Sequence, residues 1–119
     1  MAAPEAVVKA KVRRLLNEYG DELYSYWPVP SGFGRTTIDC LGCYRGRFFS
    51  IEAKAPGRKP TLRQVDTLAQ MERAMGKTFV IDSVSSPVLA DLRTWLDQLK
   101  ETIDDCSHIT PDPVSRRTI

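Results

Sequence analysis

Two acids and a lysine stand out by their spacing: Asp39, then Glu52 thirteen positions on, then Lys54. The segment Arg47-Phe48-Phe49-Ser50-Ile51-Glu52-Ala53-Lys54 has the apolar content of a buried strand for most of its length. Side chains alternate along a strand, so Glu52 and Lys54 share one face while Phe49, Ile51 and Ala53 share the other. Arg45-Gly46 has the composition of a hairpin turn, which brings Asp39 back across the ladder toward Glu52. Two carboxylates brought together repel, and burial raises their pKa values unless a cation offsets them. A divalent ion does so, and hard oxygen donors are what Mg²⁺ or Mn²⁺ prefers. A lysine beside such a pair orients or deprotonates a water and balances charge on a phosphorane-like transition state. An E-x-K triplet alone is equally a surface ion pair at a strand end. The order acid, hairpin turn, apolar strand closing in E-x-K, then basic loop is what points to chemistry.

The charge distribution fits a polyanionic partner. The net charge is only +2, but Arg45, Arg47, Lys54, Arg58, Lys59 and Arg63 cluster against the single acid Glu52. Asp91, Asp97, Glu101, Asp104 and Asp105 lie in the C-terminal third. Such a cluster is either a solvated face or a patch for polyanions. The chain's 119 residues amount to one domain, 42% apolar and 27% charged, with no apolar run long enough to cross a bilayer. Its first residues, Met1-Ala2-Ala3-Pro4-Glu5, lack the basic-then-apolar layout of a secretory signal, and three cysteines do not make a disulfide framework. The expected location is cytoplasmic, with no membrane partner.

Helical periodicity runs from Glu5 to about Glu18 through Val8, Val12, Leu15 and Leu16, with Gly20 placed to end it. Leu23 to Trp27 has strand composition, and Pro30 to Arg35 is a loop. Strands are expected over Thr37 to Tyr44 and Arg47 to Ala55, then a loop forced by Pro56, Gly57 and Pro60. A second helix starts at Thr61 and reaches Met75, with Leu62, Val65, Leu68, Ala69 and Met71 facing inward and Gly76 at its stop. Thr78 to Asp82 forms a strand, and a third helix from Pro87 carries Leu89, Leu92, Trp95, Leu96, Leu99 and Ile103. The periodicity then fades. The expected architecture is an α/β domain over residues 1–103, with a small mixed β-sheet flanked by helices in the order αβββαβα. Residues 104–119 are expected to form a flexible tail.

These residues resemble a known family. The D-(x12)-E-A-K arrangement of Asp39, Glu52 and Lys54 is similar to the core of the PD-(D/E)xK, restriction-endonuclease-like nucleases. The longer strings "GRFFSIEAKAPGRKPTLRQ" and "MGKTFVIDS" resemble the VRR-NUC family of phage and repair nucleases, over about Glu5 to Ser83. The resemblance implies a Mg²⁺-dependent deoxyribonuclease, with Mn²⁺ able to substitute, that cuts DNA in line and leaves a 5′-phosphate. It implies Asp39, Glu52 and the backbone carbonyl of Ala53 as metal ligands and Lys54 as the catalytic lysine. Gln64 matches the family's helix glutamine, and Glu5 best matches the acid of the first helix. Glu18 and Glu22 are alternatives to Glu5. The proline that usually precedes the aspartate is Ile38 here, which leaves the ligands in place but alters the strand entry.

Gln64 and Glu5 each have a structural alternative. Thr61-x-x-Gln64 is also a helix capping box, and Glu5 is also an acid favoured by the first turn of a helix. The basic residues Arg45, Arg47, Arg58, Lys59 and Arg63 are expected to track the DNA backbone, giving salt-sensitive binding largely indifferent to sequence. No segment has the composition of a base-reading helix, so selectivity for branched, flap or Holliday-junction DNA in replication, recombination or repair is expected. Short members of such families often act as homodimers. Cys40-x-x-Cys43 with Cys106 and His108 could make a zinc site. An extended strand points residues 40 and 43 to opposite faces, however, so zinc is not expected. The competing function is a nucleic-acid-binding module that keeps the fold without cleavage, and a zinc-stabilised adaptor is a third.

Overall fold

Val8, Val12, Leu15 and Leu16 are all buried, on a helix α1 that spans Pro4–Asn17. The computed structural model describes residues 4–29 and 37–104. After one 3₁₀ turn, Gly20–Glu22, the chain enters β1 (Leu23–Tyr26). Strands β2 (Cys40–Tyr44) and β3 (Arg47–Ala53) form the expected hairpin. Its turn residues Arg45 and Gly46 have φ of 50° and 83°, the left-handed pair of a type I′ turn that matches strand twist. Helix α2 (Leu62–Arg73), β4 (Lys77–Ile81) and α3 (Pro87–Asp104) complete the described chain. The sheet order is β1-β2-β3-β4. The first two pairings are antiparallel, and β3–β4 is parallel because α2 carries the chain back over the sheet. The mixed sheet and its flanking helices are those expected. The Pro30 to Arg35 loop and residues 105–119 lie outside the described residues, and α3 runs to Asp104, one residue past the expected end of the domain.

One face of the sheet carries the core. Cys40, Tyr44, Phe49, Ile51, Ala53, Phe79 and Ile81 pack there against α1 and the Leu89, Leu92 and Leu96 stripe of α3. Trp95 meets the rings of Phe49 and Phe79 edge-on. Tyr19 donates to Asp97 at 2.7 Å, which ties the end of α1 to α3. Phe49 lies directly opposite Gly42, and a Cβ on Gly42 would sit 2.3 Å from the Phe49 ring. Gly42→Ala therefore forces the ring out of its place, at a cost of about 1–3 kcal/mol by overpacking. Chemical denaturation should show that loss with an unchanged slope.

Helix α2 covers the other face, and it is rotated from the sequence expectation. Leu62 and Val65, expected inward, are 89% and 49% exposed, and of the expected residues only Leu68 is buried. The inward stripe is Gln64, Leu68 and Met71, spaced i, i+4, i+7. Gln64 takes the place expected for Val65 because it makes a hydrogen bond to buried Glu52 that an apolar side chain cannot make. The helix end differs as well. The Gly76 N–H donates to Met71 and the Met75 N–H to Glu72, a Schellman pattern with Met75 in the left-handed position at φ 73°. Gly76 is needed for closeness instead, since a Cβ there would sit 2.7 Å from Phe48.

Candidate active site

The hairpin register places Asp39 opposite Glu52. Cys40 pairs with Ile51, so the next residues out on the two strands are these acids. The β2 ladder was expected to begin at Thr37 but begins at Cys40, and Asp39 sits in a bend just before it. Two reciprocal hydrogen bonds close that end of the hairpin. The Asp39 N–H donates to Glu52 Oε1 at 3.1 Å, and the Ala53 N–H donates to Asp39 Oδ2 at 2.9 Å. Ile38, standing where the family pattern has proline, is 1% exposed, so burial anchors the approach to Asp39.

Glu52 is the most enclosed acid of the described chain, 1% exposed. Its Oε2 accepts from Gln64 Nε2 at 2.7 Å and lies 3.4 Å from Lys54 Nζ. Burial first, and the charge of Asp39 second, push the Glu52 carboxyl up from 4.5 to about 7. The hydrogen bond from Asp39 and the Lys54 ammonium act in the opposite direction but do not overcome it. Burial and a neighbouring carboxylate thus oppose ionisation of Glu52, a conflict that a cation beside the pair would relieve.

Gln64 makes the capping box and also reaches Glu52. Its backbone N–H donates to Thr61 Oγ1 at 3.2 Å and its Oε1 accepts from the Thr61 N–H at 2.9 Å, which makes the capping box. The amide nitrogen left over is the one that reaches Glu52. Lys54 lies just beyond β3, where its N–H donates to the Ile81 carbonyl at 2.9 Å and extends the parallel pairing. The Ala55–Arg58 turn, with Gly57 at φ 80°, then folds the basic loop back toward the strand end. Arg58, Lys59, Lys54, Ala55, Gly57, Thr61 and Glu5 line one cavity of about 610 Å³.

Glu5 therefore faces the same cavity as Lys54. Among the described residues, no group of three or more His, Cys, Asp or Glu side chains is gathered closely enough to hold a metal, so Glu5 does not join the Asp39–Glu52 pair as a close third ligand. The residues present fit a magnesium ion all the same. Mg²⁺ keeps several waters and takes one or two carboxylates, the remaining positions going to phosphate or carbonyl oxygens. Asp39 and Glu52 supply that pair, and the Ala53 carbonyl stands at the end of the same strand.

Arg45 and Arg47 are not brought to this site. They stand at the turn end of the hairpin, about 17 Å along β3 from Glu52 at the rise of an extended strand. Arg45 is ion-paired with Glu22 and lies over the Tyr44 ring, 5.6 Å from its centroid. Arg63 is exposed in the first turn of α2. Cys40 is buried and Cys43 exposed, on opposite faces of β2. Burial pushes the Cys40 thiol up to about 12, which leaves it unreactive. Cys106 and His108 lie outside the described residues.

One site residue was not anticipated. Lys9 Nζ lies 3.5 Å from Asp39 Oδ1, reaching it from α1. The signal was present in the sequence: Glu5, Val8, Lys9, Val12 and Leu16 form a single helical stripe, so Lys9 interrupts a core-facing row.

No family model and no curated protein matches the chain. A solved structure described as "VRR_NUC domain" is similar to it at a TM-score of 0.58 and 18% identity, covering 87% of this chain and 97% of that one. The likeness is one of fold. Among the described residues no helix is long and apolar enough to cross a membrane.

Proposed function

We propose that the chain is a Mg²⁺-dependent DNA endonuclease of the PD-(D/E)xK type, selective for DNA structure more than for sequence. The observation that carries this reading is the closed end of the hairpin. There Asp39 and Glu52 meet across the ladder, Lys54 stands 3.4 Å from Glu52, and Gln64 is donated to it from the covering helix. The fold neighbour, whose description names a nuclease domain, adds support. When bound, Mg²⁺ would polarise the scissile phosphate and acidify a water, with Mn²⁺ able to replace it.

The chain's own residues account for the rest. Asp39 and Glu52, with the Ala53 carbonyl, would hold the ion. Gln64 fixes the Glu52 carboxylate by its 2.7 Å bond, and the capping box in turn fixes Gln64. The Lys54 ammonium would sit beside the attacking water, orient it and balance charge as the phosphorus becomes five-coordinate. Arg58 and Lys59, which line the same cavity as Lys54 and Glu5, would bind phosphates flanking the cut. Phosphate contacts carry no base information, and a domain this small spans little duplex. Branched or flapped substrates handled by a homodimer follow as part of the proposal.

The test is a panel of labelled duplex, single-stranded, flap and four-way-junction DNAs incubated with Mg²⁺, with Mn²⁺ or with EDTA. Cleavage is expected with either ion, strongest on a branched substrate, and none with EDTA. Binding of every substrate without cleavage under any ion would instead show a nucleic-acid-binding module.

A further inference from the structure

Every carboxylate oxygen at the hairpin end but one is held by a rigid or buried donor. Glu52 Oε1 has the Asp39 N–H, Glu52 Oε2 has Gln64 and Lys54, and Asp39 Oδ2 has the Ala53 N–H. Among the described residues, the remaining oxygen, Asp39 Oδ1, is met by the Lys9 ammonium, at 3.5 Å. The Lys9 side chain is 36% exposed and that of Asp39 19%, so this contact sits at the solvent side of the site. A lysine ammonium on a four-carbon stem is easily redirected, unlike the backbone and amide donors that hold the other three oxygens.

On this basis, and resting on the nuclease reading above, we propose that Lys9 is an exchangeable cation of the site. It occupies the open oxygen of Asp39 when no metal is bound, and yields that oxygen to the ion. The released ammonium then moves to a non-bridging oxygen of the scissile phosphate. Two features fit the exchange. A monovalent ammonium at 3.5 Å from one oxygen is a weak, partly solvated partner that a divalent ion displaces. Lys9 also lies one helical turn beyond Glu5, which lines the cavity shared by Lys54, Arg58 and Lys59, so its stem is rooted one turn from the cavity in which the proposed reading puts the phosphate. Lys9 on α1 and Lys54 on the strand end would then grip the reacting phosphate from two sides.

The test compares Lys9→Met and Lys9→Arg with the unaltered chain. Mn²⁺ affinity is measured without DNA by electron paramagnetic resonance, and cleavage is measured at saturating Mg²⁺. Removing a competing ammonium should tighten Mn²⁺ binding of Lys9→Met by about fivefold. Its cleavage should fall by about 10- to 100-fold, with Lys9→Arg restoring most of that loss. Unchanged or weaker Mn²⁺ binding in Lys9→Met overturns the exchange and leaves Lys9 a structural ion pair. Tighter binding with full cleavage overturns the phosphate contact. If the unaltered chain cuts no DNA, the nuclease reading and the phosphate contact both fail. The Mn²⁺ comparison then still decides whether Lys9 competes for Asp39.

Discussion

Lys54→Ala and Asp39→Asn are each expected to lower DNA cleavage by about 10²- to 10⁴-fold while the chain stays folded and still binds DNA. The two substitutions remove different things. The Lys54 side chain pairs with Glu52 at 3.4 Å, but Gln64 and the Asp39 N–H still hold that carboxylate in its absence, and the Lys54 backbone N–H is retained in alanine. The loss in Lys54→Ala is therefore one of charge beside the reacting phosphate, and raising Mg²⁺ should not recover it. Asp39→Asn keeps an oxygen to accept from the Ala53 N–H, so the hairpin end stays closed. What goes is the negative charge that would bind the ion in the proposed mechanism, so this loss should be partly recovered by raising Mg²⁺ or by supplying Mn²⁺. Measurement of kcat and of the Mg²⁺ concentration at half-activity separates the two. Full cleavage in either variant would remove that residue from the mechanism.

The second large effect is on pH. Glu52 is pushed from 4.5 to about 7, by burial and then by Asp39, so in the metal-free chain it holds a proton through mildly acid solution. An ion that binds the carboxylate must displace that proton. Apparent Mg²⁺ affinity should therefore rise about tenfold per pH unit up to about 7 and level off above it. Folding stability runs the other way. The folded chain binds more protons than the unfolded one between about 4.5 and 7, so metal-free stability contributed by Glu52 is complete below that window and is lost as pH rises through it. The full loss corresponds to about 3 kcal/mol. Saturating Mg²⁺ should abolish this decline, and Glu52→Gln should lack both the decline and the Mg²⁺ response. A metal-free melting temperature that is flat over that window in the unaltered chain would show that Glu52 is ionised throughout.

The meeting of Asp39 and Glu52 could be read from the residues because a hairpin is arithmetic. A two-residue turn at Arg45-Gly46 pairs Tyr44 with Arg47, and counting outward pairs Cys40 with Ile51 and brings Asp39 beside Glu52. The strand period then puts Lys54 on the face of Glu52 without further information. The same arithmetic sends Arg45 and Arg47 to the far end of the hairpin. Charge density along the sequence groups them with Arg58 and Lys59, since a count of charges takes no account of strand length.

Helix docking was harder to read. The apolar residues of α2 allowed Val65 to face inward, and the structure instead turns Gln64 in, about one residue step around the helix axis. A buried carboxylate with no donor costs more than leaving a valine half in water, so the Glu52–Gln64 bond sets the rotation. The Thr61-x-x-Gln64 spacing marks Gln64 in the sequence, but its simultaneous use as cap and as Glu52 partner depends on where α2 lies over the sheet.

Local sequence thus determined the strand pairing, the facing acids, the lysine beside them and the basic loop that follows, because turn length and side-chain alternation act over a few residues. Tertiary structure decided which helical side chains join them, Gln64 from one face of the sheet and Lys9 from the other. Their positions depend on how α1 and α2 are docked, and that is settled by burial summed over the whole core and not by any short run of residues.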